Sequence, residues 1–436
     1  MSERQTIWAR EWFVPACVAV LALAIRWYYV HTAVVVNPIR GDAVQYMIYA
    51  INLLDHGVFS LQRDAVAPVA DGFRDPGYPV FLATAMAVFG RGPAFYLAML
   101  DAQAILAGLT VGMGAWLTRR FVGLGASVAA GFGLAVWPHL ITASGYLLSE
   151  TLLGFLVMSG LALLALAIDR RSTPLAATSG LVFAATALTN AVLLPLLPVF
   201  ALVAAWKDPG RRRLWAALAL AAFLPCAAWL GRNATLDAPP GDNRVMMNFV
   251  QGSWPSYHAA WRDAFIRQDP AGTAELALID TEYRRMLADP HSGFGAVVER
   301  LRQTPAESLG WYASKPSELW GWTIGIGAGD IYVFPTQQSP LAGRGILPVV
   351  TGLCYALTPL LALLALAGAI AALVGWRACH PVLWLMVIML LFVTAVFTVL
   401  QADARYATPY RCVEWLLAVY ALHRFAAFWR RKRRAT

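Results

Sequence analysis

The sequence predicts an all-α integral membrane protein: a bundle of about ten transmembrane helices, with juxtamembrane helices in a first outer loop and a small helical cap in a second. Three observations carry this. Of the 436 residues, 59% are hydrophobic and only 14% charged, and the mean hydropathy is +0.57, a balance that no water-soluble domain can bury in its own core. Apolar stretches of spanning length recur along the chain. The basic residues gather in short turns on one side of the bundle that those stretches define. In a soluble protein a formal net charge of +9 would point toward nucleic acid. Sorted in this way it is a membrane-orientation signal, and no nucleic-acid partner is expected.

The ten stretches are 12–36, 93–117, 121–141, 146–168, 174–189, 191–206, 213–231, 346–376, 381–400 and 411–427. The first, Trp12 to Val36, has no small-residue cleavage site after it and reads as a retained helix. The fifth and sixth are short and meet at Asn190. An eleventh, Tyr78–Phe89, is assigned by parity. If it crossed the bilayer, Arg119/Arg120 and Arg170/Arg171 would face outward. As a juxtamembrane helix it leaves both pairs inside with Lys207, Arg211, Arg212, Arg213, Arg377 and the tail Arg430-Arg431-Lys432-Arg433-Arg434. Both termini are then cytoplasmic, and two regions face outward, Asn37–Gly92 and Arg232–Arg344. The expected organisation is a seven-helix transmembrane module over 1–231 including the outer loop 37–92, an extracytoplasmic cap over 232–345, and a three-helix part over 346–436 with a basic tail. The cap shows helical patterning from Ala271 to Leu301, broken at Pro255, Pro270, Pro290 and Pro305. The five cysteines form no CxxC pair and sit in or beside apolar segments, as small apolar side chains do.

Candidate chemistry clusters at the outer ends of the helices. In Asn37-Pro38-Ile39-Arg40-Gly41-Asp42, Gly41 supplies a turn, and Asp42 either caps the next helix or holds a carboxylate where a lipid headgroup sits. Tyr46, Tyr49, Ala50, Leu53 and Leu54 then form one face of an interfacial helix. In FRDPGYP, Arg74 and a fixed turn precede an apolar half-helix that begins at Tyr78. Glu150, in GYLLSETLLGFL, is expected one turn inside the fourth helix, where an ionisable group is costly and marks a functional site. Arg26 and Asp101, also within helices, could pair with each other. On the basic side, Arg232, Lys315 in YASKPSELW, and Arg405 with Tyr406 in QADARYATPY are all expected at the outer interface. Each is either a snorkelling anchor or a ligand for a phosphate group. Among the 17 tryptophans and the tyrosines, some are expected to line a pocket and others to form the interfacial belt.

The segments GDAVQYMIYAINLLDHG, FRDPGYPVFLA, LDAQAILAGLTVGMGAWLTRRFVG, SGYLLSETLL, WLGRN, SKPSELW and DARYATPY, in this order and topology, resemble the GT-C glycosyltransferases. The resemblance is to the branch of protein O-mannosyltransferase-like enzymes and the lipid A aminoarabinose transferase, and it spans nearly the whole chain. It implies a GT-C-type bundle and an enzyme that takes a sugar from a polyprenyl-phosphate carrier and passes it, with inversion, to a lipid, glycan or protein acceptor on the extracytoplasmic face. Asp42 and Glu150 match the family's two carboxylates, and Arg405 and Tyr406 its C-terminal arginine-tyrosine pair. Many members carry a lysine or arginine between the fifth and sixth helices, where this chain has Asn190.

The expected roles are Asp42 as general base with Glu150 as its orienter or as a second acid, Arg74, Arg232, Lys315, Arg405 and Tyr406 around the donor phosphate, and Tyr46 and Tyr78 in the donor or acceptor pocket. If the acceptor is itself a phosphate, Asp42 mainly positions. No cofactor is required, although a divalent metal between Asp42 and Glu150 stays open, two carboxylates being too few ligands to argue for one. Arg- and Ala-rich usage with short loops suggests a bacterial inner membrane, with membrane lipids as surroundings. The alternatives are a polyprenyl-linked glycolipid flippase or transporter, whose expected inverted repeats are absent from the sequence pattern, and an oligosaccharide ligase using a diphosphate-linked donor.

Overall fold

The computed structural model describes residues 3–236, 243–377 and 379–435; the side chains of Arg431 and Arg434 in the basic tail lie outside the described residues. Helix α1 (Glu3–Thr32) leads to the first loop, which holds α2 (Asp42–His56) and α3 (Gly77–Phe89). There follow α4 (Pro93–Phe121), α5 (Leu124–Val136), α6 (Pro138–Thr142), α7 (Glu150–Arg170), α8 (Thr173–Thr189), α9 (Leu196–Lys207) and α10 (Arg212–Ala234). The cap carries α11 (Arg244–Gly252), α12 (Tyr257–Arg262), α13 (Pro270–Ala288), α14 (Pro290–Gln303) and α15 (Pro305–Leu319). The last part comprises α16 (Ile346–Val374), α17 (Pro381–Val399), the short α18 (Ala404–Ala407) and α19 (Arg411–Ala435).

Six of these helices are long and apolar enough to cross a membrane: Glu11–Thr32 of α1, α4, α7, the segment Pro209–Ala234 that includes α10, α16 and α17. The expected stretch 121–141 is a seventh if its 56° bend belongs to one span. The stretches 174–189 and 191–206 form shorter apolar helices, as does α3. The stretch 411–427 falls in α19, whose first turn buries the ion pair Arg411–Glu414 at 2.8 Å. The cap prolines at 270, 290 and 305 each start a helix, where proline's missing N–H costs nothing.

The bend has a traceable cause. Pro138 lacks the N–H that the Leu134 carbonyl of α5 needs, and Trp137 before it is held extended. The fully buried Arg26 of α1 fills the gap, donating to Leu134 O at 3.1 Å and to Ala135 O at 2.9 Å. Arg26 therefore does not pair with Asp101, which instead meets His31 at 2.8 Å. Irregular backbone inside a membrane bundle is tolerated when protein groups satisfy it in this way.

Close helix approach relies on small residues. A Cβ on Gly180 of α8 would stand 2.3 Å from the Leu218 carbonyl of α10, and one on Gly368 of α16 would stand 2.0 Å from the Leu417 carbonyl of α19. Two further ties join the loops to the bundle. Val34–Val35 pairs antiparallel with Thr336–Gln337, which ends the first helix at Thr32 and anchors the chain leaving the cap. Arg411 also donates to Gly321 O at 2.8 Å and Trp320 O at 3.3 Å just beyond α15.

Replacing Gly368 by alanine is expected to lower thermal stability in detergent by about 1–3 kcal/mol, the usual cost of overpacking. The same change at Gly352 on that helix, where an added Cβ meets nothing within 4 Å, is expected to cause no loss.

Candidate active site

Three helix beginnings converge on one cavity of about 510 Å³. Asp42 is the first residue of α2, Glu150 the first of α7, and Arg405 the second of α18. Gly41 makes the entry to α2 with φ 54 and ψ −126, a conformation that suits glycine. Asp42 does not cap its own helix. Its carboxylate accepts from Arg74 and, at 2.9 Å, from Arg405 Nη2, while Arg405 Nε donates to Glu150. Glu150 is the first residue of its helix and not one turn inside it, because residues 143–145 form a 3-10 turn, Tyr146 is extended, and the helix begins at 150 where the expected stretch began at 146. Both carboxylates thus sit at helix N-termini, where the aligned peptide dipoles favour negative charge.

Arg74 also donates to Gln45 Oε1 at 2.5 Å and stands over the Tyr46 ring at 5.1 Å. Burial alone would raise the Asp42 carboxyl, but Arg74, Arg405 and Arg244 around it hold it well below the ordinary carboxylate range. Asp42 is therefore anionic throughout the physiological range. Arg405 stands between the two carboxylates, and no third acidic, histidine or cysteine side chain joins them in a metal-like group among the described residues. This donor set fits a guanidinium and does not fit a divalent ion.

The cavity brings together Asp42, Glu150, Arg74, Arg405, Tyr406 and Tyr46 from the sequence reading. Tyr406 stacks on Phe397 at 5.0 Å and donates to Gln401. Tyr78 lies behind this wall, fully buried, edge-on to Tyr46 at 5.0 Å and donating to Gln103. Arg232 and Lys315 are not among the lining residues. Arg232 donates to the Asp71 and Phe59 carbonyls and lies 4.8 Å over the Trp229 ring, fastening the first loop to α10. Lys315 is fully buried and donates to Thr398 O at 3.0 Å and Leu400 O at 2.7 Å, closing the C-terminus of α17. These positions do not match the phosphate-binding role expected of Arg232 and Lys315; each long cationic side chain is taken up by backbone carbonyls.

Two arginines that the sequence reading did not assign line the cavity, Arg40 and Arg244. Arg40 lies two residues before Asp42 in the motif already singled out, and its guanidinium faces the Phe334 ring at 5.6 Å. Arg244 opens α11 and reaches Asp75 at 3.3 Å. Asp75 also accepts from Ala191 N, beside Asn190, which lines the cavity as well. No sequence signal pointed to Arg244, since its approach depends on how the cap folds back. Tyr257 of α12, its hydroxyl pushed up to about 12 by burial, completes the cap side of the wall.

Replacing Arg405 by leucine leaves two carboxylates facing each other and is expected to cost roughly 3–5 kcal/mol of stability. Adding Glu150→Gln is expected to recover part of that loss, a coupling that thermal melts of the single and double variants measure. A second expectation concerns pH. Burial pushes the Lys315 ammonium down to about 7, so between pH 7 and its ordinary value the unfolded chain binds more protons than the folded one. Wild type is thus expected to gain stability relative to Lys315→Met as pH rises from 7 to 9. A constant difference over that range would contradict it.

No protein-family profile matches the sequence, and no curated protein matches it. Solved structures do. Oligosaccharyltransferase AglB from Archaeoglobus fulgidus, in complex with an inhibitory peptide and a dolichol-phosphate, aligns with a TM-score of 0.51 at 14% identity over 100% of this chain and 52% of that one. The Archaeoglobus fulgidus oligosaccharyltransferase tethered with an acceptor peptide containing the NVT sequon gives a TM-score of 0.54 at 12% identity over 95% of this chain and 49% of that one. ArnT from Cupriavidus metallidurans bound to undecaprenyl phosphate gives 0.39 at 15% identity, over 94% of this chain and 78% of that one. The chain spans about half the length of the oligosaccharyltransferase chains it matches. With its helical membrane bundle, two loops and cap, this chain has the GT-C-type fold.

Proposed function

We propose that the chain is a membrane glycosyltransferase that moves a sugar from a polyprenyl-phosphate donor to a lipid, glycan or protein acceptor on the extracytoplasmic face, with inversion at the anomeric carbon. The observation that carries this reading is the cavity lining, in which four arginines, Arg40, Arg74, Arg244 and Arg405, face two carboxylates, Asp42 and Glu150. An excess of guanidinium groups suits a leaving phosphate, and a carboxylate among them suits an acceptor oxygen. The dolichol-phosphate and acceptor peptide named with the archaeal oligosaccharyltransferase support the same classes of donor and acceptor. Multi-pass insertion in a bacterial inner membrane, with cytoplasmic termini and an outward-facing cavity, is part of the proposal and rests on the basic turns.

In this reading the acceptor oxygen attacks the anomeric carbon opposite the phosphate oxygen, the old C–O bond breaks, and the phosphate leaves on the carrier lipid with its charge met by the arginines. Asp42 clamped between two arginines is a weak base. A donor phosphate that competes for the Arg74 and Arg405 N–H groups removes that clamp and returns Asp42 toward the ordinary range, which links its basicity to donor occupancy. An acceptor that is already an anion needs even less from Asp42, which then positions it. Arg244 supplies from the cap a cation beside Asn190, where many members of the family carry a lysine or arginine on the membrane module.

The test is polyprenyl-phosphate release from lipid-linked sugars by the purified chain in detergent. Asp42→Asn, which removes the carboxylate charge, and Arg405→Lys, which keeps the charge but loses the fork that bridges Asp42 and Glu150, are each expected to lose at least about a hundredfold in turnover while keeping their fold. No turnover with any donor, alongside protein-dependent movement of lipid across vesicles, would shift the assignment to a flippase.

A further inference from the structure

A second cavity, of about 670 Å³, opens at the other end of the bundle, where α4 and α7 finish, α17 begins and α19 passes. The run of α7 from Glu150 to Asp169 sets it roughly 28 Å from the candidate active site, at the helical rise of 1.5 Å per residue. Its charged lining comes from separate elements: Arg119 and Arg120 on α4, Asp169 on α7, His380 just before α17, and His423 and Arg424 on α19, with Glu11 of α1 as the second acid.

These charges are unevenly used. Arg120 pairs with Asp169 and lies 5.6 Å over the Trp116 ring. His380 approaches the same carboxylate at 3.5 Å, and its buried Nε2 has no hydrogen-bond partner. Arg119 and Arg424 have no carboxylate partner among the described residues. Three arginines and two histidines thus surround a space that offers two acids. Trp116, Phe121 and Leu383 give it an apolar side. Arginines that merely fix orientation extend separately into water; here guanidiniums from α4 and α19 share one cavity.

We propose that this cavity binds the phosphate of an anionic phospholipid headgroup. Arginine's planar fork matches a phosphate, and the N-terminal end of the 19-residue α17 adds partial positive charge. The site lies at the end of the spanning helices and joins cations to an apolar side, so a phosphate attached to acyl chains satisfies it more fully than a free ion does. The proposal is independent of the reaction assigned to the opposite cavity.

The test is native mass spectrometry of the full chain in detergent, titrated with phosphatidylglycerol, with phosphatidylcholine and with inorganic phosphate. Wild type is expected to bind phosphatidylglycerol, and Arg119→Gln/Arg424→Gln to bind it roughly tenfold more weakly or worse, with phosphatidylcholine background unchanged. Arg119→Lys/Arg424→Lys, which keeps both charges but loses the planar forks, is expected to bind more tightly than the glutamine pair and more weakly than wild type. A glutamine pair that melts like wild type and binds phosphatidylglycerol equally well overturns the proposal. Inorganic phosphate that binds as tightly as the lipid overturns the lipid assignment. If the glutamine pair does not fold, a photoreactive phosphatidylglycerol on wild type decides: labelling of the ends of α4 and α19 supports the site, and labelling confined to other segments overturns it.

Discussion

The guanidinium of Arg405, donating to Asp42 and to Glu150 at once, is the contact on which the rest of the candidate site depends. It joins three segments that are distant in sequence: the start of the first loop, the start of α7, and the link between α17 and α19. Each partner alone would be costly. A carboxylate or guanidinium held out of water near a membrane needs a counter-charge, and here every charge has one. Arg74 adds a second cation to Asp42, so the carboxylate is fixed in both position and ionisation.

The surrounding structure keeps these groups aligned. Gly41 turns the chain into α2, Arg232 fastens the far part of the same loop, and Lys315 finishes α17 so that the following segment can enter the short helix carrying Arg405. Asp403 caps that helix by accepting from Arg405 N at 2.8 Å, and it also accepts from Ile326 N of the cap at 2.8 Å. The cap is therefore tied to the element that presents the central arginine. Arg26 plays a comparable part within the bundle, completing the backbone that Pro138 interrupts.

Much of this was legible in the sequence, for physical reasons. Hydropathy marked the helical membrane bundle, since an apolar stretch in a membrane has few alternatives, but it counted ten spans where six helices, or seven with the bent pair, are long and apolar enough among the described residues. The motifs around Asp42, Arg74, Glu150 and Arg405 held residue types too expensive to be incidental, and the structure brings them together. What escaped depended on where long side chains go. Arg232 and Lys315 looked like interface cations, yet their N–H groups are satisfied by carbonyls that no sequence pattern marks. Arg26 and Asp101 suggested a pair on charge alone, whereas a proline-freed carbonyl and His31 took them. Arg244 reaches the cavity only through the fold of the cap, and the charge balance of that region carries no trace of it.

The most direct test of the account is an experimental structure of the full chain with a polyprenyl phosphate bound. The account predicts the phosphate within hydrogen-bond distance of Arg74 or Arg405, with Arg40 or Arg244 turned toward it and Asp42 facing the space beside it. A phosphate seated on Arg232 or Lys315, with the Asp42–Arg405–Glu150 contacts unchanged and the cavity empty, would contradict it.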